Sequence, residues 1–230
     1  MQEKSKLAKI TLTCGLIGII AVLLTIICDF ILIGKPNSTF DFLKLGTESM
    51  KGLSHWRILM GTFLGIIVIP IQILGLIPVY FGLRPAGKVK ALSVVLIIGH
   101  AAVIAVAFHM SYAFIASGWN LSHTLEPGNI ATVNMIKNFD LYWKITMTIM
   151  AVDLILSSLL YMFLIIRGNT LYPKWMALFN QSFIMFYTFI IILPFPNPIG
   201  GFVAPAFLNF STLIFFIFST TIVYKKLKIN

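Results

Sequence analysis

Long apolar stretches separated by short polar segments dominate the pattern of residues along this chain. Six stretches each hold the roughly 20 apolar residues that a helix needs to cross the hydrocarbon core of a bilayer, which is about 30 Å thick. The backbone polar groups of such a stretch can be satisfied only within a helix or a closed barrel. We therefore predict an all-α polytopic membrane protein: a single bundle of six transmembrane helices that forms one domain over residues 1–230. The predicted spans are Ala8–Gly34, Arg57–Gly82, Ala91–Ser117, Tyr142–Ile166, Lys174–Leu193 and Val203–Tyr224.

The connections on the predicted outer side differ in character. Lys35–Trp56 and Gly118–Leu141 are long and carry charges, whereas Pro194–Gly201 is uncharged and rich in proline and glycine. Proline lacks the backbone N–H of a helical residue and clashes with the preceding turn. Pro194–Gly201 is therefore predicted to be non-helical and to fold back as a cap over the outer end of the bundle.

Composition supports the membrane assignment and excludes other classes. Hydrophobic residues make up 59% of the chain and charged residues 10%, against about 25% charged residues in soluble domains. So few charges cannot cover the surface of a water-soluble fold of this size. A soluble enzyme, a nucleic-acid-binding domain and a disordered protein are thereby excluded.

The distribution of the basic residues predicts the orientation. The chain has a net charge of +10. Eleven of its Lys and Arg residues lie at the termini and in the second and fourth loops, and six lie on the opposite side. Basic residues are enriched in cytoplasmic loops. Both termini are therefore expected in the cytoplasm, with the protein multi-pass in the cell membrane. The positive charge sets topology and indicates no nucleic-acid partner.

Ionisable side chains inside the spans are the candidate functional residues, because they are costly in hydrocarbon and face inward. They are Asp29, His100, His109 and Asp153, with Arg57 at the membrane edge. Uncharged polar residues accompany them, namely Gln72, Asn180, Gln181 and Asn209.

His100 and Asp153 fall near the middle of spans 3 and 4. This pair is our candidate for catalysis, as a proton relay, a general-base pair or half of a metal site. The alternative is a structural hydrogen bond between the two spans. His100 and His109 are nine positions apart and point in opposite directions on a helix. Only one of these histidines is therefore expected to face a cavity, and they cannot bind one metal together.

Asp29, Arg57, His109 and Asn209 are the candidate ligand-binding residues, because the helical rise places all four in the outer half of the bundle. Asp29 and Arg57 could bind a polar head group or form a buried ion pair between spans 1 and 2. Asn209 with Thr212 is typical of interhelical hydrogen bonding. The four candidates predict a polar cavity that opens outward, with His100 and Asp153 deeper. Gly61 and Gly65 have the spacing that lets helices pack closely.

Known catalytic and nucleotide-binding motifs are absent from the sequence. A weaker similarity comes from several segments together: Cys28-Asp29-Phe30, the Arg57–Gly65 entry to span 2, Gly99-His100 and the proline-rich turn before span 6. With these segments the chain resembles an uncharacterised group of bacterial six-span membrane proteins. That resemblance implies the six-span fold and assigns no activity or site residue.

Two functions remain open from the sequence. The first is binding or transport of a small or lipid-like ligand through the outward-opening cavity. The second is an intramembrane enzyme that modifies a lipid with His100 and Asp153. Beyond the bilayer and such a ligand, the sequence indicates no partner, no cofactor and no oligomeric state. No metal site is predicted.

Overall fold

The protein is all-helical in the computed structural model, which describes residues 2–125 and 129–229. These residues contain no β-strand. Segments of 3-10 helix connect or precede several α-helices, at Gly46–Met50, Ile69–Gly75, Arg84–Ala86 and Lys174–Phe179. The α-helices are α1 (Gln2–Leu32), α2 (Thr39–Leu45), α3 (His55–Val68), α4 (Leu76–Leu83), α5 (Lys88–Thr124), α6 (Ile130–Arg167), α7 (Gln181–Ile192), α8 (Gly200–Val203) and α9 (Phe207–Ile229).

Five helical stretches in the described residues are long and apolar enough to cross a membrane: Gln2–Leu32, His55–Ala86, Lys88–Ser122, Ile130–Arg167 and Phe207–Ile229. Large apolar side chains such as Ile20, Ile67 and Leu96 are exposed on their surfaces. Side chains of this kind are stable at a helix surface when lipid covers them. The predicted class, a helical polytopic membrane protein, is confirmed.

The predicted fifth span, Lys174–Leu193, is two shorter helices. Asn180 divides it and caps α7 by accepting a hydrogen bond from Phe183 N through its side chain. At one end Lys174 Nζ donates to Ile165 O at the end of α6. At the other end Thr39 Oγ1 donates to Ile192 O, just beyond the end of α1. The segment thus connects opposite ends of the bundle. The sixth crossing and the cytoplasmic termini stay predictions, and we call the end at which α1 stops the outer end.

The connection predicted at Gly118–Leu141 is largely helical. α5 continues to Thr124, and α6 begins at Ile130 with Asn129 as its N-cap. The rise per residue makes the 37-residue α5 about 55 Å long, which exceeds the thickness of the hydrocarbon core. Stacking of Phe114 on Phe139 holds the two extensions together. Hydropathy finds only the part of a helix that lies in lipid, so the prediction ended these helices too early.

The second span is interrupted by the 3-10 segment Ile69–Gly75 between α3 and α4. Pro70 lies at the start of this segment, where its missing N–H breaks the α-helical ladder. The change in winding places Gln72 beside α1 and brings Gly75 against Gly18 and Phe216. α1 therefore packs closely against the second span on one side and against α9 on another.

The proline-rich segment folds back at the outer end, as predicted. Thr39 N donates to Phe195 O and Gly201 N donates to Asn37 O. A Cβ at Gly200 would lie 2.7 Å from the carbonyl carbon of Ser38, so this approach requires glycine. The segment joins the residues after α1 to the start of α8 and closes this part of the outer end.

Candidate functional site

The His100 and Asp153 side chains meet between α5 and α6, the most extensively packed helix pair. His100 Nδ1 lies 2.7 Å from Asp153 Oδ2, so the two groups can share a proton. The side chain of His100 is 57% exposed and that of Asp153 is 16% exposed. The pair therefore lies at the outside of the bundle. The predicted hydrogen bond between the two spans is present, whereas a catalytic role stays a prediction.

Asp29 is buried on α1 and accepts a hydrogen bond from Asn209 on α9. Asn209 Nδ2 lies 2.7 Å from Asp29 Oδ2. Only 4% of Asp29 is exposed. The interaction ties the outer part of α1 to α9 and fixes the orientation of the Asn209 amide. Two of the predicted ligand-binding residues are thus brought together.

Arg57 does not pair with Asp29, so the predicted ion pair between spans 1 and 2 is wrong. Arg57 Nε donates to Ile31 O at 2.7 Å, and a terminal nitrogen donates to Gly34 O. Helix C-termini expose carbonyl groups and carry partial negative charge, which attract a guanidinium. Arg57 therefore caps the end of α1, and its donors point to the backbone of α1 and away from the bundle's cavities.

His109 is buried on α5 against the glycines of α3. Its Nε2 lies 2.9 Å from Gly61 O. Because a carbonyl only accepts, Nε2 carries the proton and Nδ1 is left as an acceptor. A Cβ at Gly65 would overlap the His109 ring, and one at Gly61 would overlap Leu32. The prediction that Gly61 and Gly65 serve close helix packing is confirmed.

An inner cavity of about 100 Å³ lies in the middle of the bundle, between the second span, α5, α6, α7 and α9. Apolar side chains form most of its wall. The polar side chains that line it are Gln72, His109, Gln181, Asn209 and Thr212. His109 is thus the histidine that faces a cavity. The predicted cavity is wrong in part, because Asp29, Arg57, His100 and Asp153 do not line this one.

An outer groove of about 520 Å³ adjoins the inner cavity and runs toward the outer end. α2 and Gly46–Met50 form its outer edge, and α6 and α7 form its sides. Ser182 Oγ, which bonds to Leu154 O and Ser158 Oγ, holds α6 and α7 together below the groove. The two spaces are contiguous because they share four lining residues, namely Phe108, Met150, Leu154 and Leu208.

The groove is strongly apolar but carries two unpartnered polar atoms near its outer edge. Ser49 Oγ and Trp143 Nε1 are buried and have no hydrogen-bond partner in the described chain. Ser49 is 1% exposed, and both residues line the groove. Buried polar atoms without a partner are costly. A ligand or water in the groove would satisfy them.

No cationic side chain lines either space among the described residues. Arg57 and Lys35, the nearest candidates along the chain, donate to backbone carbonyls. Burial, together with the Arg57 charge, lowers the pKa of Lys35. The described residues also contain no cluster of three His, Cys, Asp or Glu side chains that could hold a metal.

Sequence reasoning missed much of this site. Gln72 and Gln181 were recognised as polar residues inside the spans, but not as cavity residues. The apolar residues that join the two spaces, such as Phe108 and Met150, look like any core residue in the sequence. Only the polar lining carried a usable signal, through its position inside apolar stretches.

Comparisons with known proteins identify the family. No curated protein and no solved structure matches the chain. The resemblance to an uncharacterised family is confirmed, because a family of unknown function (DUF6796) matches residues 1–226. The chain therefore belongs to this family of integral membrane proteins, DUF6796.

Proposed function

We propose that this protein binds a lipid-like ligand in the cell membrane, with the ligand's chain in the outer groove and its polar end in the inner cavity. One observation carries the proposal: an apolar groove of about 520 Å³ is contiguous with a smaller cavity that has a polar lining. Small-molecule sites usually have volumes of about 300–1,000 Å³ and a few polar groups on a mainly apolar wall.

The dimensions of the groove support a chain as its occupant. It follows α6 from Trp143 to Ile155, which is about 18 Å at the helical rise per residue. Half of a hydrocarbon core is about 15 Å. The groove thus matches the depth of one leaflet. Its position between α6 and α7 offers a lateral route for a chain from the outer leaflet.

The test is to fill the groove with a side chain. Ala151 lines the groove, so Ala151→Trp should occupy the path of the chain. Leu159, on the same helix, is exposed and lines neither space, which makes Leu159→Trp the matched control. Binding of tritiated hexadecanol to purified protein in nonionic micelles can be measured by scintillation proximity.

We expect saturable binding to wild type and to Leu159→Trp, and at least tenfold weaker binding to Ala151→Trp. Equal binding by all three proteins would place the probe elsewhere and contradict the proposal. Absence of saturable binding to wild type would also contradict it. Far-UV circular dichroism of both variants checks that the helices are retained.

A second proposal is a lipid-modifying activity of His100 and Asp153, and their 2.7 Å contact supports it. The substrate would approach from the surrounding lipid, because His100 is exposed and neither residue lines the cavities. The lipid profile of cells that express wild type should then differ from that of cells with His100→Asn. Identical profiles would argue against an enzyme.

A further inference from the structure

The hydrogen bonds around the inner cavity fix which polar atoms remain for a ligand. Gln72 Nε2 lies 2.7 Å from Thr25 Oγ1, which itself donates to Ala21 O. Thr25 has one hydroxyl proton and has used it, so its oxygen accepts from Gln72. The Gln72 amide must therefore place its nitrogen toward α1, and its carbonyl oxygen is left over.

Gln181 is oriented by the same argument. Its Nε2 lies 2.8 Å from Thr212 Oγ1, and Thr212 donates to Leu208 O. Thr212 can then only accept from Gln181. The nitrogen of Gln181 is directed to α9, and its oxygen is left without a protein donor in the described chain.

The other two polar side chains follow the same pattern. Asn209 directs its nitrogen to the Asp29 carboxylate, and His109 directs its protonated Nε2 to Gly61 O. The atoms that remain are Asn209 Oδ1 and His109 Nδ1, and both are acceptors. Neither atom is among the sealed, unpartnered atoms of the structure, and nor are the free oxygens of Gln72 and Gln181.

The inner cavity is therefore rich in hydrogen-bond acceptors. Each amide keeps one further N–H, but counting lone pairs, acceptor positions outnumber donor positions by about two to one. Gln72, His109 and Gln181 are each more than nine-tenths buried, so these acceptors are fixed in place. The Asp29 carboxylate behind Asn209 adds negative potential, and no Lys or Arg among the described residues lines the cavity to offset it.

Resting on the function proposed above, we infer that the polar end of the ligand carries hydrogen-bond donors and no negative charge. A hydroxyl or ammonium group fits the four acceptors and the volume of about 100 Å³. A carboxylate or phosphate would face acceptors without a cation, and a buried unpaired anion is strongly unfavourable.

The test varies the head group and keeps the chain constant. Hexadecanol, hexadecylamine, hexadecanoate and methyl hexadecanoate compete at pH 7.5 for the tritiated hexadecanol site. Competitor amounts are expressed as mole fraction in the micelle, which corrects for partitioning. We expect the alcohol and the amine to compete at least tenfold more strongly than the carboxylate and the ester.

The outcomes separate this inference from the proposed function. Equal competition by all four compounds would overturn the inference and leave chain binding intact. Strongest competition by hexadecanoate would also overturn it. If tritiated hexadecanol shows no saturable site, the proposed function itself fails.

A variant locates the effect. Gln181→Met removes one free acceptor, and its Thr212 partner keeps the bond to Leu208 O. The preference for hexadecanol over methyl hexadecanoate should fall at least threefold. Thr188→Val on the same helix is the control, because Thr188 is buried but lines neither space. An unchanged preference in Gln181→Met would contradict the assigned role of this acceptor.

Discussion

Substitution of Gly65 by alanine tests the packing that positions His109 in the cavity wall. A Cβ at Gly65 would overlap the imidazole and would lie 2.8 Å from its Cε1 atom. The ring has no room to retreat without losing its hydrogen bond to Gly61 O, because only 3% of His109 is exposed at its present place. The substitution therefore acts on helix packing and on a cavity residue together.

The expected cost follows from two terms and one offset. A buried polar group that loses its partner costs about 1–3 kcal/mol. Overpacking by a methyl group costs about 1–3 kcal/mol. Replacing a helical glycine by alanine returns about 1 kcal/mol. Gly65→Ala should therefore lower the free energy of unfolding by about 1–5 kcal/mol.

The assay is unfolding in mixed micelles of nonionic detergent and dodecyl sulfate, followed by far-UV circular dichroism. Gly99→Ala on α5 is the control, because a Cβ at Gly99 meets no atom within 4 Å. Its stability should stay the same or increase by up to about 1 kcal/mol. In a His109→Ala background the ring is absent, and Gly65→Ala should then cost little.

Two results would refute this reasoning. One is equal stability of Gly65→Ala and Gly99→Ala. The other is a Gly65→Ala cost that is the same in the wild-type background and in the His109→Ala background, because the two sites should be coupled when they are in contact.

Three further predictions concern interactions outside the cavities. Arg57→Leu removes the donors at the end of α1 and should destabilise the protein by about 2 kcal/mol in the same unfolding assay, with Arg57→Lys intermediate because Lys lacks the planar fork. A double-mutant cycle of His100→Gln and Asp153→Asn should give a coupling energy of about 0.5–3 kcal/mol, and a value near zero would contradict the hydrogen bond. Burial raises the pKa of Tyr172, so stability that is present below about pH 10 is lost as the pH rises toward the folded-state pKa. Tyr172→Phe should show a smaller alkaline loss of stability than wild type, and equal losses would contradict it.

The class of the protein could be predicted from the sequence because burial in lipid acts on every residue of a span. Spans 1–4 and 6 coincide with helices in the structure that are apolar enough to cross a membrane. The bounds were less predictable. α5 and α6 continue past the apolar stretches, where contacts such as Phe114 with Phe139 support helix outside the hydrocarbon region.

The candidate site was predictable only where a polar residue was unusual for its surroundings. Depth along the helix correctly matched His100 with Asp153, and Asp29 lies beside Asn209. Depth alone was misleading for Arg57. Its nearest acceptors are backbone carbonyls at the end of α1, which hydropathy and side-chain chemistry do not reveal.

Photoaffinity labelling tests the central claim most directly, namely that the inner cavity and the outer groove form one ligand site. Two hexadecanol probes would carry a diazirine either beside the hydroxyl or near the chain end. With adducts located by mass spectrometry, the first should label inner-cavity residues such as His109 and Thr212, and the second should label groove residues such as Met147 and Met185. Labelling by both probes only at exposed surface residues such as Phe163 would contradict the account.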